Sequence, residues 1–500
     1  MIWSLTAYHS LRWYAVVLLS RMADALWYPW LLGLFLVVGL IYSFGSGFFQ
    51  LFEIPLWWHT TVGSLLHRQR NQEKGLSPFQ ALATALASTM GTGSIAGVAA
   101  ALTLGGPGAV FWMWVSAFLG MMTGCGEKLL AVKYQRLTPE GLRGGPMYYL
   151  RDGLHAPLLA ACFCLACLPA TLAGGNLVQS SSISSSLEAA FGLPRLPVGI
   201  VTALLAGLAM AGGLGRVAAV SSALVPIMAV LYLGSGGLVL LVHREKLPGA
   251  LALICSCALS PSAALGGGAG WTVAAAVRYG VARGVFTNEA GLGTSAIAHG
   301  AAQTDCPARQ GMWGIFEVFV STPLVCTVTA LAILVSGAWD PSASLTGAPL
   351  TTAAFGSALG PAGEGVVALS LLLFAFSSIL GWSCYGEQCL SFLLGENLLP
   401  TARRLYRTLF LACVLAGAVW DAAGLWQLVD LCNALMALPN LTALLFLAPQ
   451  ALRDLALWSS RENPLSKRKK WKKPIDSRSK CAYHKDRKRA LAQDRRSDTL

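Results

Sequence analysis

The chain has 500 residues, of which 55% are hydrophobic and only 12% charged, with a mean hydropathy of +0.59. A water-soluble domain carries about 25% charge, so a soluble globule of this size is excluded, as are a disordered chain, a collagen and a coiled coil. The net charge of +13 is concentrated at one end, because residues 451–500 hold 16 Lys+Arg and 6 Asp+Glu of the 36 and 23 in the whole chain.

What remains is an all-α polytopic membrane protein. A span needs about 20 apolar residues, which leaves room for roughly ten to twelve helices. The apolar runs are long and unbroken by alternation, so a β-barrel is excluded. Met1 to Tyr14 lacks the basic cluster and apolar core of a secretory signal.

In chain order, the first apolar segment runs from Trp27 to Ser46. The second, Phe79 to Leu104, contains Gly91-Thr92-Gly93-Ser94-Ile95-Ala96-Gly97. The third covers Gly108 to Val132, the fourth Pro157 to Gln179, the fifth Leu196 to Gly213 and the sixth Val217 to Val242. Leu251 to Leu259 is too short to span. The seventh, Val273 to His299, is interrupted at Asn288-Glu289-Ala290-Gly291-Leu292-Gly293. The eighth covers Trp313 to Gly337, the ninth Gly365 to Leu394, the tenth Thr401 to Trp420 and the eleventh Trp426 to Leu447.

Loop charge sets an orientation. Arg68, Arg70 and Lys74, then Lys133, Arg136, Arg143 and Arg151, then Arg403, Arg404 and Arg407 all fall on one side with eleven spans. Lys/Arg-rich loops stay cytoplasmic, so the N-terminus is expected outside and the tail inside. The tail, around Lys467 to Lys473, suits anionic lipid better than nucleic acid, for which no binding module is visible. Most of the 13 cysteines sit in apolar runs and read as small buried residues.

The second and seventh segments place Gly and hydroxyl residues in the middle of an apolar run. Gly costs about 1 kcal/mol against Ala in a helix interior. Backbone released from a helix is tolerated at membrane depth only inside protein or beside a water-filled cavity. There its carbonyls can hold a cation, and a half-helix N-terminus can meet a carboxylate. Close packing through small residues is the competing reading. Each broken segment opens a set of five, segments two to six and seven to eleven. That is the arrangement of a 5+5 inverted repeat with discontinuous helices. The expected organisation is 1–50 (first helix), 77–245 (first repeat), 268–450 (second repeat) and 451–500 (a disordered basic tail).

Other polar residues stand out. Ser377 and Ser378 are adjacent hydroxyls in segment nine, and Trp382 follows Ser378 by one turn. Gln179 ends segment four beside Ser180. Glu127, Glu289 and Glu387 lie in or beside apolar segments, and an ionisable group at membrane depth is functional by default. Glu127 and Glu387 also fit helix-terminal ion pairs, and His299 a structural role. No nucleotide-binding or hydrolytic arrangement is visible, so an enzyme is not expected.

Further stretches accompany the two breaks. They include Ser77-Pro78-Phe79-Gln80, Gly105 to Trp112, Gly144-Gly145-Pro146-Met147-Tyr148-Tyr149, Gly381-Trp382 with Tyr385-Gly386-Glu387, and Met436-Ala437-Leu438-Pro439-Asn440-Leu441. With them the chain resembles the alanine or glycine:cation symporters, the sodium:alanine symporter family. The resemblance implies an eleven-helix transporter, with a leucine-transporter-like core after one N-terminal helix. It implies import of alanine or glycine with Na+ across a bacterial inner membrane, without a cofactor. By the same resemblance Gly91, Thr92, Gly93 and Ser94 would meet the substrate's carboxylate. Gln179, Phe286, Asn288, Ser378 and Trp382 would line its pocket. Ala87, Met90, Phe374, Ser377 and Ser378 would hold Na+.

The chain departs from the family pattern at Ser94, where Asn is usual, at Ser181, where Asn is frequent, and at Ser321, where Asp is expected. These swaps bear on the coupling ion. A proton-coupled or uncoupled carrier, with Glu289 as proton acceptor, is one alternative. A membrane sensor signalling through the basic tail is another.

Overall fold

The computed structural model describes residues 18–23, 25–65, 75–259, 272–340, 345–394, 398–420 and 426–462. The N-terminal 17 residues, the loop carrying Arg68, Arg70 and Lys74, and the tail beyond Glu462 lie outside the described residues.

The described residues are helical almost throughout. Its one sheet among the described residues is a two-stranded hairpin, Arg136–Thr138 against Gly141–Arg143. Among the described residues, six helices are long and apolar enough to cross a membrane by length and composition: Gly108–Lys133, Pro157–Phe191, Gly213–Val242, Pro307–Ser336, Pro361–Leu393 and Trp426–Glu462. Leu32–Gly45, Ala96–Gly105 and Arg195–Ala211 are shorter apolar helices. Large apolar side chains such as Leu204, Leu208, Val230 and Leu241 point outward, as suits a chain whose solvent is hydrocarbon. The protein is therefore a multi-pass membrane protein.

Both expected breaks are present. The second segment forms Pro78–Thr89, a single 3-10 turn Thr92–Ser94 and then Ala96–Gly105. Its start is fixed by a capping box: Gln80 N–H donates to Ser77 Oγ and Ser77 N–H to Gln80 Oε1, each at 3.0 Å. Pro78 takes the first helical position, where a missing N–H costs nothing. The seventh segment forms Val273–Asn288, unwinds through Gly293 and resumes as Thr294–His299. A parallel bridge ties the entry of the first broken segment to the exit of the second. Leu76 N–H donates to Ala301 O (3.0 Å) and Gln303 N–H to Leu76 O (2.8 Å).

Two segments are longer than expected. Segment four does not end at Gln179. It passes through a π-helical stretch, Ala173–Leu177, and continues to Phe191. Its serines explain why. Ser180 and Ser184 donate to the carbonyls of Val414 and Ala418, and Asn176 to that of Phe410, all at 2.6 Å. Tyr406 donates to Thr171 at 3.0 Å. The polar run thus forms a ladder along segment ten, not a loop. Segment eleven runs past Leu447 to Glu462, so the first part of the expected tail is helix. Lys133–Asp454 (2.5 Å) and Tyr134–Gln450 (2.6 Å) hold that extension against segment three. Two further helices, Leu247–Leu259 and Gly347–Leu359, occupy connections between the long apolar helices.

Candidate functional site

The first break lies against segment nine. Ser377 Oγ is 3.1 Å from Ala87 O and 2.9 Å from Phe374 O. Ser378 Oγ is 3.0 Å from Ala87 O and 3.1 Å from Ser88 O. All these residues are buried. Two hydroxyl protons face three carbonyls, so acceptor capacity exceeds the donors available. A group of neutral oxygens with spare lone pairs has the chemistry to hold a hard cation. Met90 is buried two residues beyond Ser88 and makes no hydrogen bond to either serine.

The approach of these segments depends on two glycines. A Cβ on Gly91 would stand 2.6 Å from Ser378 Oγ, and one on Gly93 would stand 2.8 Å from the Phe286 ring. Thr92 N–H, released from the helix, donates to Gln179 Oε1 at 3.3 Å. Gln179 Nε2 donates in turn to Gly174 O at 3.0 Å, within the π-helical stretch. Thr92 Oγ1 and Ser94 Oγ are buried without a hydrogen-bond partner.

Beside this break lies a small cavity with room for about one water molecule. Of the expected residues, Gly91, Gly93, Gln179, Phe286 and Trp382 line it. Ser88, Thr89, Gly174, Glu289, Leu292, Val429 and Asn433 complete the wall. Ser378 touches Gly91 from behind. Thr92 and Ser94 flank the cavity without lining it. Asn288 is also not in the wall: its Oδ1 accepts from Ala290 N–H at 3.0 Å, shaping the second break instead.

The second break is built differently. Glu289 is a non-glycine residue with φ 53°, followed by Gly291 (φ 94°) and Gly293 (φ 84°). Left-handed backbone at a glutamate costs roughly 1–2 kcal/mol. Around it lies a buried ionic network. Glu127 Oε1 accepts from Gly291 N–H (2.9 Å) and Asn440 Nδ2 (2.7 Å). Lys128 Nζ lies between Glu127 (3.3 Å) and Glu317 (3.5 Å). Glu317 also meets His299 Nε2 at 3.1 Å, and Gln310 meets His299 Nδ1 at 2.7 Å. Tyr149 donates to Asn440 Oδ1. Glu127 is therefore a fully buried anchor of the unwound backbone, not a helix-terminal pair. Glu387 does pair near a helix end, with Arg407 at 2.6 Å. His299 is held on both ring nitrogens, as a structural histidine is.

Several wall residues carried little sequence signal. Ser88 and Thr89 stand in the hydroxyl-rich stretch before Gly91. Asn433 is an amide within an otherwise apolar run, and its Oδ1 is buried without a partner. Leu292, Val429 and Gly174 are indistinguishable in sequence from ordinary packing residues. Lys128 was legible only beside Glu127; its second partner is 189 positions away.

The family model described as "Sodium:alanine symporter family" matches residues 13–473. A Haemophilus influenzae protein called an uncharacterized transporter is 42% identical over 431 residues, spanning 86% of this chain and 92% of its own. The sodium/alanine symporter AgcS of Methanococcus maripaludis is 39% identical over 440 residues, spanning 87% and 95%. The probable sodium/glutamine symporter GlnT of Bacillus subtilis is 36% identical over 437 residues, spanning 86% and 88%. The chain belongs to the sodium:alanine symporter family.

Proposed function

We propose that this transporter imports a small neutral amino acid, alanine or glycine, together with Na+. The observation that carries the reading is the meeting of Ser377 and Ser378 with the Ala87 and Ser88 carbonyls directly beside Gly91. Na+ on those oxygens orders the end of the helix Pro78–Thr89. The ordered break then presents its free N–H groups and the N-terminus of Ala96–Gly105 to the substrate's carboxylate. Each ligand therefore tightens binding of the other. Trp382 and Phe286 close the pocket and limit side-chain size, and Gln179 holds Thr92 in place.

In this reading the chain is a leucine-transporter-like 5+5 repeat, 77–245 and 268–450, in a bacterial inner membrane. Its N-terminus is outside and its basic tail lies against anionic cytoplasmic lipid. Arg403 supports the sidedness, since it joins Glu140 at 2.8 Å and so brings two basic loops to one end. The test is uptake of alanine and glycine into proteoliposomes under an inward Na+ gradient, with choline replacing Na+ as control. Accumulation above equilibrium only with Na+ is expected. Uptake driven by a pH gradient and indifferent to Na+ would move the coupling to protons. Retention of uptake after removal of 463–500 is expected of a transporter and excludes a sensor that works only through its tail.

A further inference from the structure

Arg283 stands in the seventh apolar segment, on the helix Val273–Asn288, without a polar partner. Its only partners among the described residues are two rings. The guanidinium lies 5.9 Å from the centre of Phe286 and 5.5 Å from that of Trp426. A charged side chain at this depth is costly and marks a path for ions or substrate. The guanidinium has five N–H donors in a fork that matches a carboxylate, and no described acceptor engages any of them.

The rings beneath it cover the cavity. Trp426, Val429 and Asn433 recur at helical spacing on one face of segment eleven. Val429 and Asn433 line the cavity together with Phe286. Trp426 meets Phe286 edge-on, with ring centres 5.5 Å apart. The Phe286 ring also packs on Gly93 of the first break. Arg283, Phe286 and Trp426 are all half-buried, whereas Glu127, Lys128, Glu317 and His299, around the second break, are fully buried. The thin cover is therefore on the side of Arg283. The far end of segment seven exits at the basic hairpin, where Gly300 packs against Gly144. Arg283 thus lies toward the opposite end, which is the outer one in the sidedness proposed above.

We propose that Arg283 is a landing site for the substrate's carboxylate at the outer mouth of the pocket. The proposal rests on the amino-acid symporter reading and adds a step before the pocket is occupied. A cation resting on aromatic faces is held less tightly than one paired with a carboxylate. An arriving carboxylate therefore draws the guanidinium off both rings. Phe286 and Trp426 are then free to part, and the carboxylate passes the Phe286 ring to the N–H groups of the first break. Arg283 settles back on the rings behind it. The fork acts on the rate of entry and exit, not on the hold of the filled pocket.

The test is the rate of association and dissociation of radiolabelled alanine, by rapid filtration on the full chain at saturating Na+. Raising choline chloride from about 0.1 to about 1 M shortens the screening length from about 10 to about 3 Å and should slow association in the wild type. Arg283→Gln should lower the association rate at least ~10-fold and abolish its salt dependence. Dissociation should slow with it, so that the equilibrium constant stays within about three-fold. Arg283→Lys keeps the charge without the fork; it should keep the salt dependence and recover part of the rate. Wild-type association indifferent to salt would overturn the proposal, whether or not the glutamine variant folds. So would faster association and dissociation in Arg283→Gln, the mark of a latch that only holds the rings shut. A loss confined to the dissociation rate would also overturn it, by placing Arg283 on the bound substrate. Absence of alanine and glycine binding in the wild type would overturn the symporter reading itself, a result distinct from any behaviour of the variants.

Discussion

The two broken segments solve one problem by opposite means. Each must leave backbone polar groups unpaired inside a membrane protein. The first break carries no ionisable residue between Ser77 and Gly105; glycine, hydroxyls and a single amide contact from Gln179 hold it. The second is clamped by an ionic network in which Glu127, Asn440, Lys128 and Glu317 fix Gly291 and its neighbours. The contrast implies a division of labour. The weakly held break is free to be ordered by ligands, while the clamped break supplies a rigid surface against which they are read.

The largest expected effect breaks the clamp. Lys128→Met leaves Glu127 and Glu317 buried without their ammonium, and removing one partner of such a group costs about 3–5 kcal/mol. Little folded protein should survive extraction, as judged by size-exclusion profile and thermal unfolding; a monodisperse variant of wild-type stability would show that the network does not clamp the break. Gly91→Ala attacks the other region. Its Cβ would press on Ser378 Oγ, and small-to-large changes in tight packing cost about 1–3 kcal/mol. Uptake should fall by ten-fold or more, with a loss of unfolding stability no larger than this packing cost and smaller than that of Lys128→Met. Wild-type uptake would mean that the close approach is dispensable.

Smaller effects sharpen the comparison. Ser377→Ala with Ser378→Ala should raise the Na+ concentration for half-maximal uptake about ten-fold, equivalent to about 1.4 kcal/mol; an unchanged requirement would exclude these hydroxyls from the cation site. Trp382→Ala should weaken alanine uptake and admit larger side chains, at about 1–3 kcal/mol of discrimination per methylene, and an unchanged substrate range would remove Trp382 from the pocket wall. The smallest concerns the loop hairpin. Hydrogen bonds from Arg403, with Arg143 nearby, hold the Glu140 carboxyl below its ordinary range. Its folded value being the lower one, the stabilisation is present above the ordinary carboxylate range and is lost as pH falls through the depressed value. Because Glu140 is half exposed, Glu140→Gln should remove only a minor part of the stability lost on acidification, measured by unfolding midpoint from neutral pH downward.

Much of the architecture was legible because membrane spans write themselves as apolar runs, and a break must be written in glycine. The starts of the broken helices were equally plain, since Ser77-Pro78-Phe79-Gln80 encodes its own cap. Segment four misled at its end. Ser180, Ser181 and Ser182 look like a loop in sequence, whereas two of the segment's serines, Ser180 and Ser184, donate across to carbonyls 234 positions away. The cavity was half legible. Gly91, Gln179 and Trp382 announce themselves as polar, small or bulky residues out of place. Val429 and Leu292 do not, because a pocket wall of aliphatic side chains differs from core only by what lies opposite. Long-range ionic partners such as Lys128 and Glu317 were hidden for the same reason.

The central claim is that cation and amino acid share the first break, and the direct measurement is the alanine dissociation constant with and without saturating Na+, by titration calorimetry on the full chain. The account predicts at least ~10-fold tighter alanine binding with Na+, a coupling of about 1.4 kcal/mol, with the same factor returned when Na+ is titrated with and without alanine. Equal alanine affinity in both conditions would contradict it.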